Sequence, residues 1–130
     1  MSFNMYQENI LDHYENPYNR GSLPQPELEF HGLNPLCGDE VCIQACLDPQ
    51  GRLQKVCFEG EGCVISLAAA SMLMEAVEGK TLDEVKEMDR QDMLDLVGIT
   101  LTTMRVKCAM LPLRTLGKAI HQYEAQAEGA

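Results

Sequence analysis

Apolar and polar side chains largely alternate along three short segments in the first half of the chain. The segments are 28–33, 41–47 and 53–58, and this alternation predicts β-strands that bury one face. Residues 48–51, with the sequence Asp-Pro-Gln-Gly, are of the types that favour tight turns. The second and third segments are therefore predicted to form a hairpin, and all three to form a small antiparallel sheet.

Apolar side chains elsewhere recur at a spacing close to that of an amphipathic helix. A helix is expected at 3–15, which Pro17 ends because proline disfavours helical geometry at the preceding residue. A wide apolar stripe at 64–77 predicts a second helix that ends at Gly79, a residue suited to a C-terminal cap. The other predicted helices are a short one capped by Thr81 with Glu84 in a capping box, one over 89–97, and one over 108–126 with Pro112 in its first turn.

These elements predict an α+β fold in which helices pack on one face of a three-stranded antiparallel sheet. The chain of 130 residues has the size of one domain, 1–130, with a frayed tail from about 125. Its composition, 45% hydrophobic and 23% charged, is typical of a soluble globular protein. No segment is apolar for long enough to span a membrane, and the N-terminus lacks the features of a secretory signal, so we expect a cytoplasmic protein or a matrix protein whose targeting segment has been removed.

The charge of the chain narrows the range of partners. Twenty acidic residues against ten basic ones give a formal net charge of −10. Binding to nucleic acid or to an anionic membrane is not expected, because displacing the counterions of phosphate groups needs lysine and arginine. A basic protein surface is compatible with this charge, and a purely solubilising role for the acidic residues explains it equally well.

Two stretches of the chain place a cysteine beside glycines at a turn. Cys37 is followed by Gly38 and Asp39, and the glycine would let the backbone bend so that thiol and carboxylate point to the same place. Cys63 follows Gly-Glu-Gly and directly precedes the predicted helix at 64–77. The N-terminus of a helix lowers the pKa of a nearby thiol, and the thiolate is the form that binds metal and attacks sulfur.

A third cysteine, Cys108, is predicted to lie just before or at the start of the last helix. Lys107 is adjacent to it and Arg105 lies nearby, and a cation close to a thiol lowers its pKa. Lys107 could also pair with the aspartate, or be a solvated side chain without a role. Three thiols and one carboxylate suit a tetrahedral zinc site or an iron–sulfur cluster, with the carboxylate as the weaker ligand. The four predicted ligands, expected at one end of the sheet, are Cys37, Asp39, Cys63 and Cys108.

The other cysteines and the histidines have contexts that favour structural roles. Cys42, Cys46 and Cys57 fall in predicted strands, where a free cysteine is more often a small buried side chain than a ligand. By alternation Cys42 and Cys46 share a face, which could be core or surface. The three histidines are interpreted as surface or core residues away from the cysteine contexts: His13, His31 and His121.

Two further classes of protein are compatible with these cysteines. A thiol redox protein is disfavoured because the chain contains no CxxC pair. A zinc-stabilised interaction module without sulfur chemistry remains an alternative, in which removal of the metal would unfold the chain. Asp39 argues against it, because structural zinc sites are usually built from cysteine and histidine.

Separated motifs in the chain resemble the iron–sulfur cluster assembly scaffolds of the IscU/SufU/NifU N-terminal type. They are Tyr-Gln-Glu-Asn-Ile-Leu-Asp-His-Tyr at 6–14 with Asn-Pro at 16–17, Asn-Pro-Leu-Cys-Gly-Asp at 34–39, Gly-Glu-Gly-Cys at 60–63 and Lys-Cys-Ala at 107–109. The resemblance covers nearly the whole chain and implies a SufE/NifU-like fold. It also implies that the four predicted ligands bind zinc or a nascent cluster.

The resemblance implies a role in iron–sulfur cluster assembly. The chain would accept sulfur from a cysteine desulfurase of the IscS or SufS kind and hold a labile [2Fe–2S] cluster for transfer to apo-proteins. The alternative within the family is a zinc-dependent sulfurtransferase of the SufU type, which accepts persulfide sulfur and activates its desulfurase. Either Cys37 or Cys108 would accept the sulfur. The chain is thus expected to be a scaffold or sulfur acceptor rather than a turnover enzyme, with sulfurtransferase activity as the enzymatic alternative.

The motifs combine features of two branches of this family. Lys107 precedes the last ligand cysteine, as in the SufU type, and Arg105 lies nearby, whereas the IscU type has histidine before that cysteine. The chaperone segment Leu-Pro-Pro-Val-Lys of the IscU type is replaced by Leu-Thr-Thr-Met-Arg-Val at 101–106, which argues against an Hsp70-type chaperone as partner. The interval from Cys63 to Cys108, however, is too short for the insertion of roughly twenty residues that SufU proteins usually carry.

Overall fold

The computed structural model describes residues 5–35 and 38–128. In chain order the elements are α1 (Met5–Glu15), β1 (Leu28–Asn34), β2 (Asp39–Leu47), β3 (Leu53–Glu61), α2 (Val64–Val77), α3 (Leu82–Lys86), α4 (Arg90–Val97) and α5 (Thr103–Glu128). The strands form one antiparallel sheet in the order β1-β2-β3, so the predicted α+β fold is confirmed. Within these residues, no helix has the length and apolar composition that a membrane crossing requires.

The predicted turn between β2 and β3 is stabilised by the side chain of Asp48, its first residue. The carboxylate of Asp48 accepts hydrogen bonds from the backbone N–H groups of Gln50 and Arg52, both at 2.9 Å. Gly51 has a φ of +80°, a left-handed conformation that glycine adopts without steric cost. The hairpin is therefore specified by residues 48–51, as the sequence indicates.

Helices α2 and α5 cover one face of this sheet. Helix α2 is apolar nearly all round, and its Leu73 and Met74 are fully buried between the sheet and the other helices. Helix α5 packs against β1, and Gly32 permits the close approach because a Cβ at that position would collide with the side chain of Thr115. Cys63 directly precedes α2 and Cys108 lies within α5, so these two helices position two of the predicted ligands.

Helices α2, α3 and α4 begin and end close to their predicted positions. Helix α2 has the predicted bounds and is followed by Gly79 with a φ of +89°. Thr81 and Glu84 form the predicted capping box of α3, in which the N–H of Glu84 donates to Thr81 Oγ1 at 3.1 Å. Asp89 caps α4 and forms a second capping box with Asp92. Local sequence signals thus place these three helices correctly.

The predicted start of the last helix is wrong. Helix α5 begins at Thr103, so that Cys108 lies in its second turn rather than at its N-terminus. Thr102 explains the earlier start: its Oγ1 accepts a hydrogen bond from the N–H of Arg105 at 3.3 Å, and its carbonyl accepts one from Val106 at 2.9 Å. The backbone of Cys108 is consequently held inside a helix, and its thiol projects from the side of α5.

Pro112 lies inside α5 and not in its first turn as predicted. Proline has no N–H, so residue 112 cannot donate the usual intrahelical hydrogen bond to the carbonyl of Cys108. The helix continues because the core holds both neighbours of the proline, Leu111 and Leu113, which are 3% and 8% exposed. Helix α5 also extends to Glu128, so residues 125–128, predicted as a frayed tail, are helical.

The other face of the sheet carries the side chains that the alternation leaves outside the core. On β2, Val41, Ile43 and Ala45 are buried under the helices, while Cys42 and Cys46 between them point away and are half-buried. The face that these two cysteines share is therefore the outer one.

Candidate metal centre

Three of the four predicted ligands meet at one end of the sheet. The ligand atoms of Asp39, Cys63 and Cys108 all lie within 4.8 Å of one another. Asp39 opens β2, Cys63 lies between β3 and α2, and Cys108 comes from the second turn of α5. The fourth predicted ligand, Cys37, lies outside the described residues. Gly38 next to it has a φ of +71°, so the chain bends there as the sequence predicts.

Asp39 is a buried carboxylate that is only 2% exposed. Its Oδ1 accepts a hydrogen bond from the backbone N–H of Cys63 at 3.0 Å, and its Oδ2 lies 3.8 Å from Cys63 Sγ. A carboxylate removed from water needs partners of this kind. Gly62 leaves the space for it, because a Cβ there would lie 2.6 Å from Asp39 Oδ1. The backbone thus holds one carboxylate oxygen, while the other faces the thiol.

Cys63 is the N-cap residue of α2. Its backbone is extended, with φ −76° and ψ 167°, and its Sγ accepts a hydrogen bond from the N–H of Ser66 at 3.5 Å. Burial by itself would raise the pKa of Cys63, but hydrogen bonds from the backbone and hydroxyl of Ser66 and from the thiol of Cys108 outweigh it, so the pKa falls below the ordinary 9.0. The charge of Asp39 opposes this decrease. Cys63 therefore has the thiolate character that metal binding and attack on sulfur require.

The cation beside the two thiols is Arg105. The negative charge of the Cys63 thiolate, and to a smaller extent that of Cys108, raises the pKa of the exposed Arg105 guanidinium. The attraction is mutual, so the guanidinium also favours the thiolates. The side chain of Lys107 is exposed and makes no ion pair within the part of the chain that the structure describes. Of the two cations in this segment, Arg105 is the one that acts on the described thiols.

The two described thiols differ in their access from solvent. A depression of about 580 Å³ opens beside Cys63, with Tyr14, Val64 and Arg105 in its lining. Cys63 is half-buried, whereas Cys108 is 0% exposed. A reactant that approaches through the depression therefore meets Cys63 before Cys108.

Two features of the structure were not predicted from the sequence. One is Ser66, which is 3% exposed and donates a backbone hydrogen bond to the Cys63 thiol. Its position three residues after the N-cap is the sequence signal that could have identified it. The other is a group on the outer face of the sheet, Glu29, His31 and Cys42, whose ligand atoms also lie within 4.8 Å of one another. The sequence predicts structural roles for His31 and Cys42 and none for Glu29, and the pairing of β1 with β2 brings the three together.

Comparison with known proteins gives consistent matches. The family model described as NifU-like N terminal domain matches residues 5–130. The chain is 34% identical to the zinc-dependent sulfurtransferase SufU of Bacillus subtilis, over 95% of this chain and 98% of that protein. It is 31% identical to the iron–sulfur cluster assembly scaffold protein IscU of Escherichia coli strain K12, over 95% and 97%. A crystal structure from Fervidobacterium islandicum, assigned to iron–sulfur cluster assembly in the SUF system, has a TM-score of 0.74 at 30% identity and covers 87% of this chain and 94% of that one.

The lengths of these alignments bear on the two branches of the family. The alignment with the B. subtilis SufU protein extends over 146 positions, more than the 130 residues of this chain, so that protein has residues that this chain lacks. The alignment with the E. coli IscU protein extends over only 127 positions. The chain thus resembles IscU in length, in agreement with the absence of the SufU-type insertion.

Proposed function

Because the chain belongs to the NifU-like N-terminal domain family, we propose that it is an iron–sulfur cluster assembly scaffold. It accepts sulfur from a cysteine desulfurase, holds a transient [2Fe–2S] cluster as its cargo and passes the cluster to apo-proteins. The observation that carries this proposal is the convergence of Asp39, Cys63 and Cys108 at one end of the sheet. Cys37 is proposed as the fourth ligand because it lies two residues before Asp39, across the bend at Gly38.

The donor atoms of this centre suit both the irons of a cluster and a zinc ion. Thiolates are the usual ligands of iron–sulfur clusters, and a carboxylate is a harder ligand that binds them less strongly. On a tetrahedral zinc ion, a sulfur and an oxygen ligand would be about 3.6 Å apart, given Zn–S and Zn–O distances of ~2.3 and ~2.1 Å. Cys63 Sγ and Asp39 Oδ2 are 3.8 Å apart, so these two atoms need to move little to fit.

Asp39 is proposed as the ligand that makes the cluster labile. Its Oδ1 is engaged with the N–H of Cys63 at 3.0 Å, which leaves Oδ2 directed towards the thiols. A ligand oxygen that exchanges readily with water or with an incoming thiolate gives the cluster a route out of the site. A fourth thiolate in its place would bind the cluster more tightly, which suits storage better than transfer.

A second candidate function, zinc-dependent sulfur transfer, is favoured by the cation beside the thiols and by the 34% identity to the B. subtilis protein. An acceptor thiolate attacks the terminal sulfur of the desulfurase persulfide, the S–S bond breaks, the desulfurase cysteine leaves as a thiolate, and the terminal sulfur with its proton remains on the acceptor. Zinc, held by the same four residues, would keep their thiols deprotonated. We propose Cys37 as the acceptor and Cys108 as its alternative, although Cys108 must first be uncovered.

The proposed partners are a cysteine desulfurase of the IscS or SufS kind and the apo-proteins that receive the cluster. The depression beside Cys63 gives a persulfide-bearing segment a path to the thiols, and exposed Tyr14 and Val64 provide apolar contacts along it. Free thiols at this density need a reducing compartment, so a cytoplasmic location is part of the proposal.

The test is anaerobic reconstitution of the chain with Fe²⁺, cysteine and a cysteine desulfurase. Visible absorption would be followed, and bound iron, sulfide and zinc quantified. Wild type would be compared with Asp39→Ala, Cys108→Ser and the matched control Cys46→Ser, which removes a thiol from the outer face of the sheet. Transfer to an apo-ferredoxin would then be measured for each chain that forms a cluster.

The scaffold function predicts a labile cluster that forms in wild type and Cys46→Ser, fails in Cys108→Ser and persists longer in Asp39→Ala. Tightly bound zinc, no cluster and a several-fold faster desulfurase turnover would instead establish the sulfurtransferase. Zinc that stays bound while the desulfurase is unaffected would exclude both functions in favour of the zinc-stabilised interaction module.

A further inference from the structure

The outer face of the sheet carries a second group of metal-ligand side chains. His31 on β1 is paired with Cys42 on β2, so their side chains leave the same face of adjacent strands. His31 Nε2 lies 3.4 Å from Cys42 Sγ, and Cys42 Sγ lies 4.0 Å from Glu29 Oε2. An imidazole nitrogen, a thiol and a carboxylate oxygen therefore converge, all within 4.8 Å of one another.

At these distances, small rotations of the three side chains would bring their ligand atoms to a common ion. On a tetrahedral zinc ion, a nitrogen or oxygen ligand would lie about 3.5–3.6 Å from a sulfur ligand, given Zn–N, Zn–O and Zn–S distances of ~2.0, ~2.1 and ~2.3 Å. The His31–Cys42 pair already has this separation, and the carboxylate of the exposed Glu29 is free of core packing that would prevent a shift of some tenths of an ångström.

A neighbouring amide fixes the orientation of the carboxylate. The side-chain oxygen of Gln44 accepts a hydrogen bond from the backbone N–H of Leu23 at 2.7 Å and lies 3.7 Å from Cys57 Sγ. The amide nitrogen must therefore point the other way, and it donates to Glu29 Oε2, the oxygen nearest to Cys42. Outer contacts that orient a ligand in this way are a regular part of metal sites.

The surroundings of the group favour a cation and leave room for a further ligand. A shallow depression of about 190 Å³ includes His31 and Cys42 in its lining, together with Glu40 and with Glu59, whose carboxylate is paired with Arg20 at 2.7 Å. A dication bound between the Cys42 thiolate and the Glu29 carboxylate would offset the negative charge of both.

We propose that Glu29, His31 and Cys42 form a second metal site, for a borderline divalent ion such as Zn²⁺, with an open position in the depression for water or another ligand. Mixed nitrogen, sulfur and oxygen ligands with an open position are typical of non-structural zinc sites. The site is distinct from the centre at the end of the sheet, because Cys42 and Asp39 are three residues apart on β2 and so point to opposite faces. Its existence does not depend on the proposed function.

The test is a titration of the metal-free, reduced full chain with Zn²⁺ and, as a spectroscopic probe, Co²⁺. The centre at the end of the sheet would be silenced by the double substitution Asp39→Ala and Cys63→Ser. In that background the chain should bind one Zn²⁺, and Co²⁺ should give the charge-transfer band of a single thiolate ligand. His31→Ala or Cys42→Ser should then lower the affinity by at least ~100-fold, since loss of an outer-contact residue alone costs about 10–100-fold.

Two matched controls make the test specific. Cys46→Ser removes a thiol from the same strand and the same face, and His121→Ala removes an exposed imidazole from α5; neither should change the affinity. Far-ultraviolet circular dichroism and the urea midpoint would show that each variant is folded. Binding that is unaffected by His31→Ala and Cys42→Ser, or a loss just as large in Cys46→Ser, would overturn the proposal. This test of the second metal site requires no measurement of cluster assembly.

Discussion

The substitution Gly62→Ala tests whether the loop at 60–63 is shaped to accommodate the Asp39 carboxylate. A Cβ at position 62 would lie 2.6 Å from Asp39 Oδ1 and 2.7 Å from Ser66 Oγ, closer than real Cβ atoms approach their neighbours. Gly62 is not among the glycines with positive φ, so alanine is sterically excluded there rather than conformationally strained. The carboxylate or the loop backbone must therefore move.

Movement of either group lengthens the hydrogen bond from the Cys63 N–H to Asp39 Oδ1, now 3.0 Å, at a carboxylate that is 2% exposed. Loss of a hydrogen bond to a buried charged group costs about 1.5–3 kcal/mol. For a domain of this size each kcal/mol lowers the melting temperature by roughly 3–5 °C. We therefore expect the melting temperature of Gly62→Ala to fall by about 5–15 °C.

The assay is thermal and urea unfolding of the metal-free chain, followed by circular dichroism with a chelator present. Gly117→Ala is the matched control: it lies in α5, nothing lies within 4 Å of an added Cβ, and alanine should stabilise the helix there by up to ~1 kcal/mol. In an Asp39→Ala background the cost of Gly62→Ala should fall by at least half. An unchanged cost in that background, or wild-type stability of Gly62→Ala, would refute the reasoning.

Three more predictions follow from single contacts or groups. In the metal-free chain, the midpoint of the pH profile of alkylation by iodoacetamide, measured by mass spectrometry, should lie below 9.0 for Cys63 and above it for Cys57. The reason is that hydrogen bonds lower the pKa of Cys63 despite its burial, whereas burial raises that of Cys57. The stability that the Cys63 thiolate contributes is present above its unfolded pKa and is lost as pH falls through the folded one; equal alkylation profiles would contradict this. Ser71→Ala should lower the free energy of unfolding by about 1–3 kcal/mol. The reason is that the buried hydroxyl accepts a hydrogen bond from the N–H of Tyr18 at 2.7 Å and lies 2.7 Å from His13 Nδ1. An unchanged midpoint of urea unfolding would contradict this prediction. Chelation should leave the far-ultraviolet spectrum intact, because the core is built from apolar side chains and not from the ligands; unfolding on chelation would favour the interaction module instead.

The parts of the fold that the sequence predicts are those set by neighbouring residues. Residues 48–51 contain both the aspartate and the glycine that their turn needs, and the Thr81–Glu84 capping box is complete within four residues. The Gly-Glu-Gly-Cys stretch likewise carries a local signal for the helix N-terminus at Cys63. For these elements the local preference and the tertiary structure agree.

The parts that the sequence does not predict depend on distant residues. Pro112 suggests a helix that starts near 108, but burial of its neighbours holds it inside a longer helix that begins at Thr103. The outer-face group needs the register that sets His31 opposite Cys42, and alternation alone does not give that register. In both cases packing between elements decides where a cysteine side chain lies.

In the candidate metal centre, the carboxylate of Asp39 lies beside the thiol of Cys63, and the two repel each other when both are ionised. The carboxylate of Asp39 opposes ionisation of Cys63, while the hydrogen bonds from Ser66 and Cys108 favour it, and Arg105 adds a positive charge at the edge. The fold holds this arrangement because the N–H of Cys63 binds the carboxylate and Gly62 leaves it space. A cation that enters between Asp39 and the thiolates relieves their repulsion, and the repulsion returns when the cation leaves. A carboxylate beside a thiolate therefore suits a bound cation, and in its absence the exposed guanidinium of Arg105 provides part of the compensating charge. Such a balance fits a centre that is filled and emptied repeatedly better than one that keeps its metal for the lifetime of the fold.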